Sequence, residues 1–164
     1  MAIKSSTDDY AFWVRLAAIF STSIAFILVL IKLYAWLVTD SSAMLASTTD
    51  SILDLFASIM SIVILRFALA PADKEHSFGH GKAESLAGLV QASFVLGSAI
   101  LLIFSGVSRL LNPQVIQHSE VAIWVTIISI VLTLILVAFQ RYVIKRTGSI
   151  IISGDALHYQ SDLF

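Results

Sequence analysis

Apolar residues run along this chain in blocks too long for a soluble core, and polar residues mark the breaks between them. The blocks cover about 16–38, 42–69, 86–111 and 121–139. At about 1.5 Å per residue in a helix, each reaches close to or beyond the roughly 30 Å of a bilayer's hydrocarbon. A short polar turn, Thr39-Asp40-Ser41-Ser42, joins the first two blocks, and a hydrophilic connection from Pro71 to Ser85 separates the second from the third. Asn112 and Pro113 close the third, and Arg141, Lys145 and Arg146 end the fourth. The pattern predicts an all-α membrane protein, a transmembrane helix bundle. The last stretch, 149–164, reads as the start of a fifth span. It reaches only about 24 Å, and a helix ending in lipid would leave its last carbonyls unsatisfied. The expectation is therefore that this is the N-terminal part of a longer transmembrane domain.

Within the blocks, Lys32, Tyr34 and Trp36 lie toward the far end of the first, where snorkelling and aromatic anchoring are expected. Gly88, Ala92, Ser93 and Gly97 in the third fit either close helix contact or a lipid-facing helix with incidental small residues.

Composition agrees with a membrane location. Charged residues make up 13% of the chain, about half the usual share in a soluble domain. A net charge of -1 gives no basis for a nucleic-acid partner, and the absence of cysteine removes disulfides, thiolate metal sites and cysteine nucleophiles. The N-terminus carries Asp8 and Asp9 ahead of an overlong apolar block, so it does not read as a signal peptide. With the N-terminus in the cytoplasm, Lys4, Arg15, Arg66, Lys74, Lys82, Arg141, Lys145 and Arg146 face inward, and only Lys32 and Arg109 fall toward the other side. The positive-inside rule predicts that orientation.

Against this apolar background, Asp50 and Asp54 stand four apart and share a helical face. Each costs about 2.5–3.5 kcal/mol near the bilayer centre, which points to use rather than accident. His158 and Asp162 repeat the spacing in the fifth stretch. Counting residues from the nearest turns places both pairs near the midplane. Three carboxylates and one imidazole at one depth form a plausible tetrahedral site for zinc or a neighbouring divalent metal. Asp155, one turn earlier, reads as an end-of-helix or entrance charge. A second cluster, Asp73, His76 and His80, lies in the connection near Glu75 and Glu84. Its spacing suits a metal if helical, but Gly79 and Gly81 suit a loop, so a solvated linker fits equally well. No H-E-x-x-H motif supplies a protease base and no Gly-rich phosphate loop is present, so neither an enzyme nor a prosthetic group is expected.

The stretches TDSILDLFAS, PADKEHSFGHGKAESLAGLVQASF, ILVAFQRYV and DALHYQSD resemble the cation diffusion facilitators, in particular their bacterial ferrous-iron/zinc efflux pumps. The resemblance covers nearly the whole chain. It implies six transmembrane helices followed by a cytosolic domain, a homodimer in the bacterial inner membrane, and export of divalent cations (zinc, with ferrous iron or cadmium) in exchange for protons. By resemblance, Asp50, Asp54, His158 and Asp162 form the transport site, and Asp73, His76 and His80 a second zinc site in the cytoplasmic loop. Three alternatives stay open: a metal-binding membrane fragment that does not transport, a cation channel, and an intramembrane metalloenzyme.

Overall fold

The computed structural model describes residues 2–68, 81–111, 119–161 and 163. They form five helices, α1 (Ala2–Thr39), α2 (Ser42–Ala68), α3 (Gly81–Leu111), α4 (Ser119–Thr147) and α5 (Ile150–Ser161), with no strand among the described residues. Among the described residues, three stretches are long and apolar enough to cross a membrane: Asp9–Thr39, Ser42–Arg66 and Glu120–Thr147. The apolar part of α3 among the described residues is Leu96–Ser108. α1, α3 and α4 outrun their apolar blocks, most of all α1, because helical hydrogen bonding continues through the polar flanks.

Two turns of the same design join the helix pairs. At the end of α1, Asp40 adopts φ 46° and its N–H donates to Trp36 O at 2.8 Å. At the end of α4, Gly148 adopts φ 68° and its N–H donates to Ile144 O at 2.7 Å. Both residues tolerate the left-handed region, glycine for want of a Cβ and aspartate as one of the few side chains that visit it. A serine follows in each case. Ser41 O accepts from Leu45 N and Ser149 O from Ser153 N, so each serine opens the next helix as its N-cap.

Hairpins this tight force antiparallel neighbours, and three apolar clusters record the register. The first gathers Val14, Ala17 and Ala18 of α1, Leu65 of α2, Val143 of α4, and Ile151 and Ile152 of α5. The second joins Ile24, Ala25 and Leu28 to Leu136, Val137 and Tyr159, with Leu55 against it. The third joins Ala35, Met44 and Val125, nearest the α1–α2 turn. α1 thus runs antiparallel to α2 and α4 and parallel to α5. The opposite faces present Phe26, Leu37, Phe56, Trp124 and Leu134 outward, as a surface solvated by lipid tails requires. Hydroxyls in the spans avoid unpaired exposure by donating to the carbonyl four residues back, as Thr22, Ser23, Thr49 and Thr126 do.

α3 packs against α2 and α5. Its small residues do not form a close contact among the described residues: Ala92 and Ser93 are exposed, and a Cβ added at Gly97 meets nothing within 4 Å. Of the two readings, Ala92, Ser93 and Gly97 match incidental small side chains on an exposed face.

Candidate functional site

Serines and one aspartate line a single face of α2. Ser47, Ser51, Asp54, Ser58 and Ser61 alternate spacings of four and three, the interval that keeps side chains on one stripe of a helix. On α4, Thr126, Ser129, Thr133 and Gln140 follow the same register. Apart from Thr126, which is exposed at the rim, these stripes turn inward, so the polar side chains meet each other rather than lipid.

At the centre, His158 Nε2 of α5 lies 3.0 Å from Asp54 Oδ1 of α2. The imidazole is 1% exposed and the carboxylate 15%. A carboxylate acceptor at that distance selects the tautomer in which Nε2–H donates. The structure therefore brings together one residue from each of the two pairs singled out in the sequence. Asp50 sits one turn from Asp54, partly buried. Asp162 lies outside the described residues, as do Asp73, His76 and His80. Among the described residues, no three His, Asp or Glu side chains converge closely enough to hold a metal.

On the side of the pair facing the α1–α2 turn is a cavity of about 260 Å³. Asp54, Ser51, Ser129, Thr133 and Lys32 line it together with Tyr159. Ser51 Oγ and Ser129 Oγ are buried without a hydrogen-bonding protein partner among the described residues, which makes this a polar space suited to water or a hydrated ion. Lys32, expected to snorkel, lines this cavity, its Nζ donating at 3.5 Å to the Ser47 carbonyl, which lies toward the α1–α2 turn.

On the other side, the polar layer is closed. Asp155, expected as an entrance charge, is 1% exposed. Its Oδ2 accepts from Gln140 Nε2 at 2.6 Å and from Ser21 Oγ at 2.7 Å. Ser21 Oγ is 3.2 Å from Ser58 Oγ, which is 2.8 Å from the Tyr159 hydroxyl. The physical reason for the correction is register. The three-residue step from Asp155 to His158 keeps both on the inner face of α5, where α1 and α4 supply donors. Ser21, Ser58, Gln140 and Tyr159 were not singled out in the sequence, although the 3–4 spacing of polar residues on α2 and α4 carried that signal.

Helices long and apolar enough to cross a bilayer, packed around a buried ionisable pair with a polar cavity on one side, define a multi-pass helical membrane protein. The chain belongs to the family described as the cation efflux transmembrane domain, which it matches over residues 18–164. It is 51% identical over 154 residues to a protein named cation-efflux pump FieF from Pectobacterium carotovorum, an alignment covering 94% of this chain and 51% of the relative. It is also 48% identical over 160 residues to the cation-efflux pump FieF of Shewanella oneidensis, covering 98% of this chain and 54% of that protein. The chain spans about half the length of the curated relatives it matches. Those relatives are named as pumps, not as enzymes.

Proposed function

We propose that this chain forms the cation-handling part of a secondary transporter that exports divalent metal ions, zinc first and ferrous iron or cadmium as further substrates, in exchange for protons. The observation that carries this reading is the 3.0 Å contact between Asp54 Oδ1 and His158 Nε2. The nitrogen and oxygen that share a proton there are atoms through which a divalent cation would bind. Metal ligation needs deprotonated carboxylates and a neutral imidazole with its lone pair available, so cation and proton compete for the same two atoms. That competition is the chemical minimum for an exchanger, and imidazole titrates close enough to physiological pH to take part in both directions. Asp50, one turn from Asp54, and Asp162, four residues after His158 in the sequence, would complete a four-ligand set of three oxygens and one nitrogen, a donor set that accepts zinc. Asp73, His76 and His80 would form a separate site in the loop before α3.

A carrier accounts for the asymmetry around the pair better than a channel. The cavity meets Asp54 from one side, and buried hydrogen bonds close the other. A permanent pore would need both sides open. With the N-terminus cytoplasmic, as the distribution of basic residues favours, the cavity lies on the external side. The family relationship and the names of the relatives support cation export. A homodimer in a bacterial inner membrane is the further part of this reading, implied by the resemblance of the sequence motifs.

The test is zinc flux into proteoliposomes carrying the protein, read with an encapsulated zinc-sensitive dye, with and without an imposed pH gradient. Flux should saturate and follow the proton gradient. Asp54→Ala and His158→Ala should each lower it by at least about 100-fold, beyond the roughly 10–100-fold typical of residues that merely support metal ligands. Undiminished flux in both variants would refute the site.

A further inference from the structure

The closed polar layer has no part in metal ligation as described above, yet it is the densest hydrogen-bonded cluster joining the helices. Ser21 comes from α1, Ser58 from α2, Gln140 from α4, and Asp155 and Tyr159 from α5, and all five are buried. The layer lies between the first and second apolar clusters. It is one turn from the Asp54–His158 pair, since Ser58 follows Asp54 by four residues and Asp155 precedes His158 by three. It lies between the pair and the α4–α5 turn, on the side opposite the cavity that meets Asp54.

We propose that Asp155 is the gating residue of the approach from that side. Held by Gln140 and Ser21, it latches α5 to α4 and α1 and seals the cytoplasmic side of the pair; release of those two bonds opens it. This rests on the carrier reading above, because only a carrier needs its sealed side to open.

Three features support the assignment. Both donors to Asp155 belong to other helices, and hydrogen bonds weaken steeply with distance and angle, so neither bond survives a separation of α5 from α1 and α4. The latch also leaves acceptors over. Asp155 Oδ1 and Gln140 Oε1 are buried and have no protein hydrogen-bond partner among the described residues. A buried carboxylate satisfied on one oxygen gives up part of its solvation, so the closed arrangement is not a deep minimum, and a small differential affinity can shift it. Lastly, Tyr159 follows His158 directly and is tied through Ser58 to Ser21. Opening the latch therefore moves the helix that carries the candidate ligand.

The experiment uses thiol accessibility. Ala17 lies one turn from Ser21 on the same face of α1 and is buried in the first apolar cluster. Residues 1–164 contain no cysteine, so with any other thiols of the protein removed Ala17→Cys is a single reporter below the latch. Thr126→Cys reports on the cavity side. In oriented membrane vesicles treated with an impermeant methanethiosulfonate, Gln140→Leu should raise labelling of the Ala17→Cys reporter from the cytoplasmic side by about tenfold, as expected for moving a minor open state toward dominance. Labelling of the Thr126→Cys reporter from the other side should fall. Should Gln140→Leu fail to fold, Ser21→Ala removes the smaller donor and should raise Ala17→Cys labelling by about threefold by the same argument. Unmoved labelling in the folded variants overturns the latch. Zinc flux measured in the same vesicles keeps the two readings apart: absent flux in the wild type speaks against the carrier, whereas intact flux with unmoved labelling speaks against the latch alone.

Discussion

The two halves of the bundle on either side of Asp54 and His158 use the same materials to opposite ends. Toward the α1–α2 turn, Ser51, Ser129 and Thr133 face one another across an open cavity, and two of the three hydroxyls have no protein hydrogen-bond partner among the described residues. Toward the α4–α5 turn, Ser21, Ser58, Gln140, Asp155 and Tyr159 are drawn into contacts of 2.6–3.2 Å. A cavity of about 370 Å³ on that side, between α1 and α2, is lined by Arg15, Ala18, Ile19, Ile62, Leu65 and Arg66 and by none of these five. Residue type and helical spacing are alike in both halves. What differs is the donors within reach of the carboxylate. Asp155 draws in Gln140 and Ser21 from two neighbouring helices, whereas Asp54 meets His158 and leaves Ser51 and Ser129 without a protein partner among the described residues. Those hydroxyls leave a gap that water can fill, and a carboxylate with an amide within reach closes it.

The sharpest way to break this contrast is to remove the amide. Gln140→Leu keeps the volume and deletes the donor to Asp155. Hydrogen bonds to charged groups contribute about 1.5–3 kcal/mol in water-soluble proteins, and interhelical bonds in membranes average about 0.6 kcal/mol. Because the acceptor is a buried carboxylate, a loss of about 1–2 kcal/mol is expected, between those two scales. Equilibrium unfolding in mixed micelles measures it. A cost indistinguishable from that of a hydroxyl on the cavity side would remove the distinction between the halves.

A smaller effect is expected at the turn that launches the closed half. Gly148 holds φ 68°, and a Cβ there would meet no atom within 4 Å. Gly148→Ala therefore isolates the backbone cost of the left-handed conformation, about 1 kcal/mol, with no steric clash added. The same micelle unfolding should show it, and zinc flux should change little if α5 keeps its register. A cost near zero would mean that the turn relaxes to another conformation and that the start of α5 is not fixed by this residue.

How far this arrangement could be read from the sequence depends on where the partners lie. The spans follow from unbroken apolar length, and the joining turn at Asp40 and Ser41 from its polar residues. The meeting of Asp54 with His158 was accessible by counting residues inward from the turns, because helical rise is constant and both sit at similar depth. Asp155 was misread for a different reason. Its donors lie 134 and 15 residues away, and which face of α1 or α4 points at it depends on packing rotation rather than on depth. Lys32 is a mixed case. Its position about 10 Å from the end of α1 suits snorkelling, while the cavity it lines is built by residues of α2 and α4 that depth alone does not name. Contacts set by depth along the chain were legible, and contacts set by helix rotation were not.

The smallest predicted effect tests the open half directly. Ser129 is buried on α4 and its hydroxyl has no protein partner among the described residues, so Ser129→Ala removes no protein hydrogen bond. If water fills the cavity, the hydroxyl's solvation is lost and its replacement by methyl is nearly neutral, within about 0.5 kcal/mol in micelle unfolding, as for surface positions without a specific partner. A loss above about 1 kcal/mol would show that Ser129 Oγ has a protein partner when the protein sits in lipid, since that is the usual worth of one intramolecular hydrogen bond. The cavity side would then be a second latch rather than an open approach. The direction of that result matters more than its size: the carrier reading needs one side of the Asp54–His158 pair to be held by hydrogen bonds and the other to be free of them.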